Sequence, residues 1–371
     1  MRLSLYERGF GAVRVRHVMR RVALWVTLPL VVVLAGGWTW YRVSDTGKRW
    51  RMEDRLASYC DGLLPYEETA ALTGLSTESF QNDIRHGGTD ARYEFCWVAD
   101  LYLTVSRVPD GTDSGLLSDD VQFFLPYEDV GALSTPQPLR GGWRGYTDAK
   151  NTVTALPCAH GGSIVVTAQS HGYVEDDNAD TWPRVDRTGP QREAELAAAT
   201  ALRAADRWGC AVKAPSGPPK VPALHADPDG ATGVTEGACA GLRTTADERV
   251  TWTRGTDDDP RTLWETCTLG TEAPEYQGDD EGVLYRFSAK YGTQALAARL
   301  QDRGWSGGSG TERDDPLRAS AKCPDDRERA LFTAFAQDET AKAEQLAATT
   351  LKTFARLAAD RRGCTDLRIA D

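Results

Sequence analysis

Eight cysteines are the residues of this chain whose type and spacing could do the most chemistry. They stand at Cys60, Cys96, Cys158 and Cys210, then at Cys239, Cys267, Cys323 and Cys364, with intervals of 36, 62 and 52 followed by 28, 56 and 41. No Cys-x-x-Cys pair supports a redox motif, so the even count reads as structural disulfides formed in an oxidising compartment. A second candidate is Gly304-Trp305-Ser306-Gly307-Gly308, which has the form of a G-x-S-x-G nucleophile elbow. That chemistry needs a strand before the serine, a helix after it and a later histidine as base. Here a helical pattern precedes the serine, a Gly/Ser loop follows it, and no histidine occurs after His225. His17, His86, His160 and His171 complete a histidine set without zinc spacing. His160-Gly161-Gly162 reads as a loop after Cys158. Asp176 to Asp180 starts like a calcium loop but has Thr181 where the turn needs Gly and Arg187 where the closing Glu belongs. Asp257 to Asp259 and Asp279 to Glu281 read as solvated acidic loops, and no Walker-type phosphate loop is present. No catalytic residue, metal ligand or cofactor is expected from these residues.

The elements that carry these residues follow from charge and hydropathy. Residues 1–21 hold six Arg and one Glu, a charge of +5, which leaves −16 for the rest of a chain whose net charge is −11. Such an acidic chain does not suit a nucleic-acid partner. Val22 to Tyr41 contains no charged residue and is long enough to span a bilayer of roughly 30 Å. Arg14, Arg16, Arg20 and Arg21 precede it, so the positive-inside rule places the N-terminus in the cytoplasm and the rest of the chain outside. Ala35-Gly36-Gly37 leaves a cleaved signal peptide open as the alternative. Lys48, Arg49, Arg51 and Arg55, interleaved with Trp50 and Met52, read as a helical extension of the span paired with Glu53 and Asp54.

Beyond the span the two cysteine sets sit in sequences that repeat. Cys60-Asp61-Gly62-Leu63 answers Cys239-Ala240-Gly241-Leu242, and Gly142-Trp143-Arg144-Gly145 answers Gly304-Trp305-Ser306-Gly307. Ala204-Ala205-Asp206-Arg207-Trp208-Gly209-Cys210 answers Ala358-Ala359-Asp360-Arg361-Arg362-Gly363-Cys364. Anchors in one order imply a tandem duplication, in which Gly142-Trp143 and Gly304-Trp305 are expected as a structural turn. The chain then divides into a cytoplasmic basic tail (1–21), a transmembrane helix (22–41), a first repeat domain (50–213), a Pro/Gly-rich linker (214–236) and a second repeat domain (237–371).

Within the first copy, Leu64 to Gly74 reads as a short helix, and Tyr93 to Val108, Val121 to Leu125, Thr152 to Leu156 and Ser163 to Ala168 as strands. Glu193 to Trp208 reads as an amphipathic helix stopped by Gly209. In the second copy Leu263 to Leu269, Val283 to Lys290 and Ala330 to Ala336 read as strands, and Thr293 to Arg303 and Asp338 to Arg362 as helices. Strands and helices segregate, which predicts an α+β fold: an antiparallel sheet covered by helices on one face. The third cysteine of each set would begin the last strand and the fourth end the returning helix. Cys158–Cys210 and Cys323–Cys364 are then the natural bridges, leaving Cys60–Cys96 and Cys239–Cys267; four cysteines allow two other pairings.

The run Cys60-Asp61-Gly62-Leu63-Leu64-Pro65-Tyr66-Glu67-Glu68-Thr69-Ala70-Ala71-Leu72-Thr73-Gly74, followed by Cys96-Trp97, resembles small disulfide-bonded domains of actinobacterial secreted lipoproteins of unknown function. An Ala- and Arg-rich, Lys-poor composition fits the same source. The resemblance covers about 40 residues. The second copy lacks most of the helix pattern and has Thr268 after Cys267. It implies a surface-exposed α+β module and nothing catalytic. The expected function is therefore a membrane-anchored extracellular tandem module that binds a small ligand or a cell-envelope partner. A cell-envelope hydrolase and a structural subunit of a membrane complex are the alternatives.

Overall fold

The computed structural model describes residues 9–70, 75, 77–87, 92–98, 101–111, 135–148, 151–170, 189–222, 229–230, 236–242, 247–271, 282–306, 317–324, 326–338 and 340–369. The chain divides into two compact units, Met1–Arg55 and Leu56–Asp371.

In the first unit, helix α1 (Gly9–Val43) contains an apolar stretch, Trp25–Val43, none of which is buried. At 1.5 Å per residue its 19 residues reach about 28 Å, enough to cross a bilayer's hydrocarbon core. The helix stops at Ser44, whose Oγ accepts from the Gly47 amide at 3.0 Å and so caps helix α2 (Asp45–Ser58). Arg51 donates to the Tyr41 carbonyl and, at 3.1 Å, to the Arg42 carbonyl, which α1 leaves without helical partners. Lys48 pairs with Asp45 at 3.2 Å and Arg49 with Glu53 at 2.9 Å. The basic residues after the apolar stretch thus belong to a second helix, separated from the first by a capped break.

The second unit is α+β. Its first sheet contains β1 (Phe80–Gly87), β2 (Arg92–Val98), β3 (Leu101–Val108), β4 (Gln137–Pro138), β5 (Arg144–Thr147), β6 (Asn151–Pro157) and β7 (Ser163–Ser170), in the order β1-β2-β3-β7-β6-β5-β4. The second contains β8 (Asp229–Gly230), β9 (Trp252–Gly255), β10 (Trp264–Gly270), β11 (Val283–Lys290), β12 (Arg318–Lys322), β13 (Ala330–Ala336) and β14 (Thr365–Ile369), in the order β14-β12-β13-β11-β10-β9-β8. Every pairing in both is antiparallel. The runs β1-β2-β3-β7-β6 and β9-β10-β11-β13-β12 have the same order. They differ beyond it: the β5–β4 hairpin extends β6 in the first sheet, whereas the last strand, β14, extends β12 in the second.

The helices of this unit are α3 (Tyr66–Ala70), α4 (Gly189–Arg207), α5 (Thr293–Ser306) and α6 (Ala341–Arg361). Alternation along the strands decides which face meets which helix. Phe287 and Phe332 pack with Leu351 and Phe354 of α6. Leu331, one residue before Phe332 and facing the other way, packs with Ala295 and Ala298 of α5. Leu296, Ala297 and Leu300 on another side of α5 meet Val153, Ala155 and Val165 of the first sheet. A helix apolar on two sides is buried between layers. The second sheet therefore carries helices on both faces, where helices on one face were expected.

Four bridges join Cys60 to Cys96, Cys158 to Cys210, Cys239 to Cys267 and Cys323 to Cys364. The fourth cysteine of each set is placed by the same helix ending. Gly209 and Gly363 both have left-handed backbone, with φ of 65° and 63°. The Cys210 amide donates to the Ala205 carbonyl, and the Cys364 amide to the Ala359 carbonyl, each at 2.8 Å. The Gly209 amide reaches Asp206 and the Gly363 amide reaches Asp360, which completes a Schellman motif in each case.

Several strands differ from the sequence expectation. Tyr93 to Val108, read as one strand, is the hairpin β2–β3, because apolar and β-branched residues continue through both arms. Strands β1, β5, β9, β12 and β14 were not foreseen; most are short or polar and lack an alternating stripe. Val121 to Leu125 lies outside the described residues. Within 214–236, the Trp143 indole donates to the Gly217 carbonyl at 2.8 Å, Arg140 and Lys220 exchange backbone hydrogen bonds, and Gln191 bonds both Pro219 and Val221. This stretch of the Pro-rich connection is fastened to the first sheet.

Each sheet also buries a glutamate two residues before its bridged strand cysteine. Glu265 accepts from Arg361 at 2.9 Å and Arg362 at 3.0 Å. Arg362 further donates to the carbonyls of Asp259, Pro260 and Thr262 and lies 3.6 Å from the centre of the Tyr291 ring. Glu94 instead meets Arg85 at 2.6 Å and Arg92 at 3.4 Å. Beside it Asp61 accepts from Arg85 at 2.8 Å, Arg92 at 2.8 Å and Arg207 at 3.0 Å. Asp61 stands in a left-handed turn, with φ of 54°, 51° and 67° at Cys60, Asp61 and Gly62. Two non-glycine residues there cost about 1–2 kcal/mol each. The bridge to Cys96 and three guanidinium partners hold the turn in place. Burial pushes the Glu94 carboxyl up, and Arg85 only partly offsets it. Burial also opposes ionisation of Asp61, but the Arg207 hydrogen bond and the charges of Arg85, Arg207 and Arg92 outweigh it, leaving that carboxyl below its ordinary value.

Candidate functional site

Where the first sheet meets α5 and the turn after β12, a cavity of about 660 Å³ opens. Pro109, Ala155, Pro157, Ala159, Val212, Leu263 and Leu296 give it apolar walls, and Ser163 and Thr293 contribute hydroxyls. Edge-to-face packing of Tyr146 on Trp264, with ring centres 5.3 Å apart, joins the two sheets nearby. Gln294 donates to the Tyr146 hydroxyl at 3.2 Å, and the Trp264 indole donates to Ser288 at 2.7 Å.

Two ion pairs of the walls cross between the halves. Arg144, at the start of β5, donates to Asp326, and Arg327 donates to Asp110. Glu328 accepts from the Gly111 amide at 2.7 Å, and Arg299 stands 4.0 Å from its other oxygen. Arg299 also donates to the Arg329 carbonyl at 2.5 Å, which ties α5 to the turn that carries Asp326, Arg327 and Glu328. Gly292 is required at this point: its φ is 53°, and a Cβ there would stand 2.9 Å from an Asp326 carboxylate oxygen. The Thr293 hydroxyl, buried in the wall, has no hydrogen-bond partner among the described residues.

This arrangement suits a ligand with an apolar body and polar ends. It supplies hydroxyls, paired charges and apolar area. Among the described residues the wall's one sulfur, at Cys158, belongs to a bridge, and no histidine lines the cavity. Among the described residues no group of three or more His, Cys, Asp or Glu could hold a metal ion.

Comparison with protein-family models, curated proteins and solved structures returns no match.

The structure distributes the sequence candidates widely. Gly142-Trp143 forms the turn between β4 and β5, with φ of 89° at Gly142 and the indole buried. Gly304-Trp305 lies instead in the last turn of α5, so the two pairs do not share one backbone geometry. Their expected role as a common turn is corrected on that ground. Ser306 ends the same helix, with no strand leading into it. His160 sits in the β6–β7 turn beside Gly161 and Gly162. Of the acidic run 257–259, Asp257 pairs with Arg140 at 2.9 Å and Asp259 shapes its own turn. Asp176 to Asp180, Asp279 to Glu281, His171 and His225 lie outside the described residues. The cavity's Asp110, Arg144, Asp326, Arg327 and Glu328 were not anticipated. Their signal was the dense alternation of charge just after Cys323-Pro324, on a turn that also carries a bridge.

Proposed function

We propose that this chain is a single-pass, membrane-anchored extracellular protein built from two copies of one disulfide-stapled domain. The cleft between the copies binds a small ligand or a cell-envelope partner without catalysis. The observation that carries the binding reading is the cavity itself. Asp110 and Asp326 are held in ion pairs with arginines of the opposite half, Glu328 accepts from the Gly111 amide with Arg299 beside it, and the Thr293 hydroxyl has no hydrogen-bonded base among the described residues. A hydrolase needs a nucleophile within reach of a base. Supporting the anchor are the exposed apolar stretch Trp25–Val43, the basic residues before it and four bridges beyond it. The shared five-strand order and the repeated helix ending support a duplication.

Two measurements test this. Protease added to intact cells should degrade the region beyond the span and leave an N-terminal tag protected; the reverse pattern overturns the topology. In a deletion strain, Leu296→Trp, which fills the cleft, should fail to restore the envelope phenotype, while Glu328→Gln restores it. Failure of both variants, each folded and inserted, would point to chemistry performed by the carboxylate.

A further inference from the structure

Outside the cleft, the first sheet gathers three arginines around one carboxylate. Arg85 uses Nε and Nη2 on Glu94 and Asp61, Arg207 uses Nε and Nη2 on Asp61, and Arg92 uses Nη2 on both acids while its guanidinium lies 5.1 Å from the Trp208 ring. Among the described residues, Nη1 of all three makes no hydrogen bond. Their side chains are 54%, 49% and 30% exposed, for Arg85, Arg207 and Arg92 in turn, above acids that are 11% and 1% exposed. The layer beneath is acidic and buried, and the layer facing water is a set of guanidinium edges. With Asp83 beside them, three arginines balance three carboxylates, so an anion would be drawn by the outward donors and not by net charge. The nearby Asp83 is engaged as acceptor for the Cys60 amide at 3.1 Å.

The second sheet shows what a purely internal solution looks like. There Glu265 is matched by two arginines, and Arg362, 5% exposed, spends its remaining donors on three backbone carbonyls. Among the described residues nothing comparable consumes the outward edges of Arg85, Arg92 and Arg207. Guanidinium forks already fixed by carboxylates behind them lose little rotamer freedom when a further anion arrives. A planar fork also matches the oxygen spacing of a phosphoryl group.

We infer that this face of the first sheet is a binding site for a phosphate monoester, with Arg85, Arg92 and Arg207 each giving an Nη1 donor to the phosphoryl oxygens. A monoester offers three terminal oxygens to three donors, whereas a diester offers two. The acidic character of the chain, net −11, disfavours a polyanion and leaves a small ligand as the fitting partner.

The test uses the full chain in nonionic detergent, titrated by calorimetry with glycerol 3-phosphate, inorganic phosphate and a glycerol phosphodiester. Saturable binding of the monoester is expected, about tenfold tighter than the diester and weakened by added salt. Arg85→Gln and Arg207→Gln should each weaken it about tenfold or more. Because either change could unsettle the acids beneath, Arg85→Lys serves as the second variant: it keeps the charge, loses the fork and should also bind more weakly. Arg140→Gln, at the ion pair with Asp257, should bind as the parent does. No saturable monoester binding overturns the inference. So does equal binding by well-folded Arg85→Lys and Arg207→Gln, and a diester bound as tightly as the monoester overturns the monoester assignment.

Discussion

Glu94 and Glu265 each lie two residues before a bridged cysteine, with an arginine from the end of a long helix close by: Arg361 bonds Glu265 itself, whereas Arg207 bonds Asp61, the acid beside Glu94. Around Glu265 the partners are sealed: Arg361 and Arg362 lie largely out of water, and three carbonyls absorb the remaining donors of Arg362. Around Glu94 the arrangement is wet on one side and shares its arginines with Asp61. Residue types account for this difference. Asp61 follows Cys60, where Ala240 follows Cys239, so the first turn adds a second acid and recruits more arginines. Trp208 precedes Gly209 where Arg362 precedes Gly363, so α4 closes with an aromatic platform where α6 closes with a second cation. One scaffold position thus serves as a core ion cluster in one place and as a solvent-facing cluster in the other.

That contrast can be broken most forcefully at the buried acids. Glu265→Ala leaves two arginines out of water without a countercharge and should cost about 3–5 kcal/mol in denaturant unfolding. Glu94→Ala leaves Arg85 and Arg92 with Asp61 and solvent, and about 1 kcal/mol is expected. Equal losses would mean the two surroundings are energetically alike. A pH series sharpens the same point. The folded Asp61 carboxyl lies below its ordinary value near 3.9, so its stabilising contribution is complete above that pH and fades as pH falls toward the folded value. Glu94, shifted upward by burial, works the other way and costs stability as pH rises through its folded value. Asp61→Asn should therefore flatten the acid limb of the stability profile; an unchanged limb would remove Asp61 from the account.

The helix endings provide the matched control. Gly209→Ala and Gly363→Ala each force a Cβ into left-handed backbone and should cost about 1 kcal/mol alike by thermal melting. A clear inequality would show that the two Schellman motifs carry different loads. The smallest effect is expected at the exposed pair Arg327–Asp110, where Arg327→Ala should change stability by less than about 1 kcal/mol.

Local signals in the sequence reached far for some elements and stopped short for others. Val283 to Lys290 and Ala330 to Ala336 were read with the observed ends, because buried β-branched and aromatic residues bounded by polar turns leave little choice. Gly209 announced the end of α4, because glycine readily takes the left-handed backbone of a helix stop. Strands β9 and β12 were invisible because their residues become strands only by pairing with neighbours distant in sequence. The cavity was illegible for a related reason. Arg144 and Asp326 lie 182 residues apart, and no periodicity relates a hairpin strand to a turn after another sheet's strand. Asp61 was read as part of a repeated motif, but its three arginines come from two strands and a helix end. Their meeting is a product of topology.

Strand β14 pairs with β12 through Ala319, Ser320 and Lys322, and it closes one side of the second sheet after the last bridge has been made. Asp366 on it is bound by Arg329 at 2.7 Å and Arg368 at 3.1 Å, so the outermost row of backbone groups carries charge. A chain cut before Thr365 would keep every disulfide and both long helices, yet it would present bare β12 to its neighbours. Charged edge strands discourage sheet-to-sheet aggregation. The final five-residue strand therefore guards solubility, a quality separate from the stability that the bridges provide.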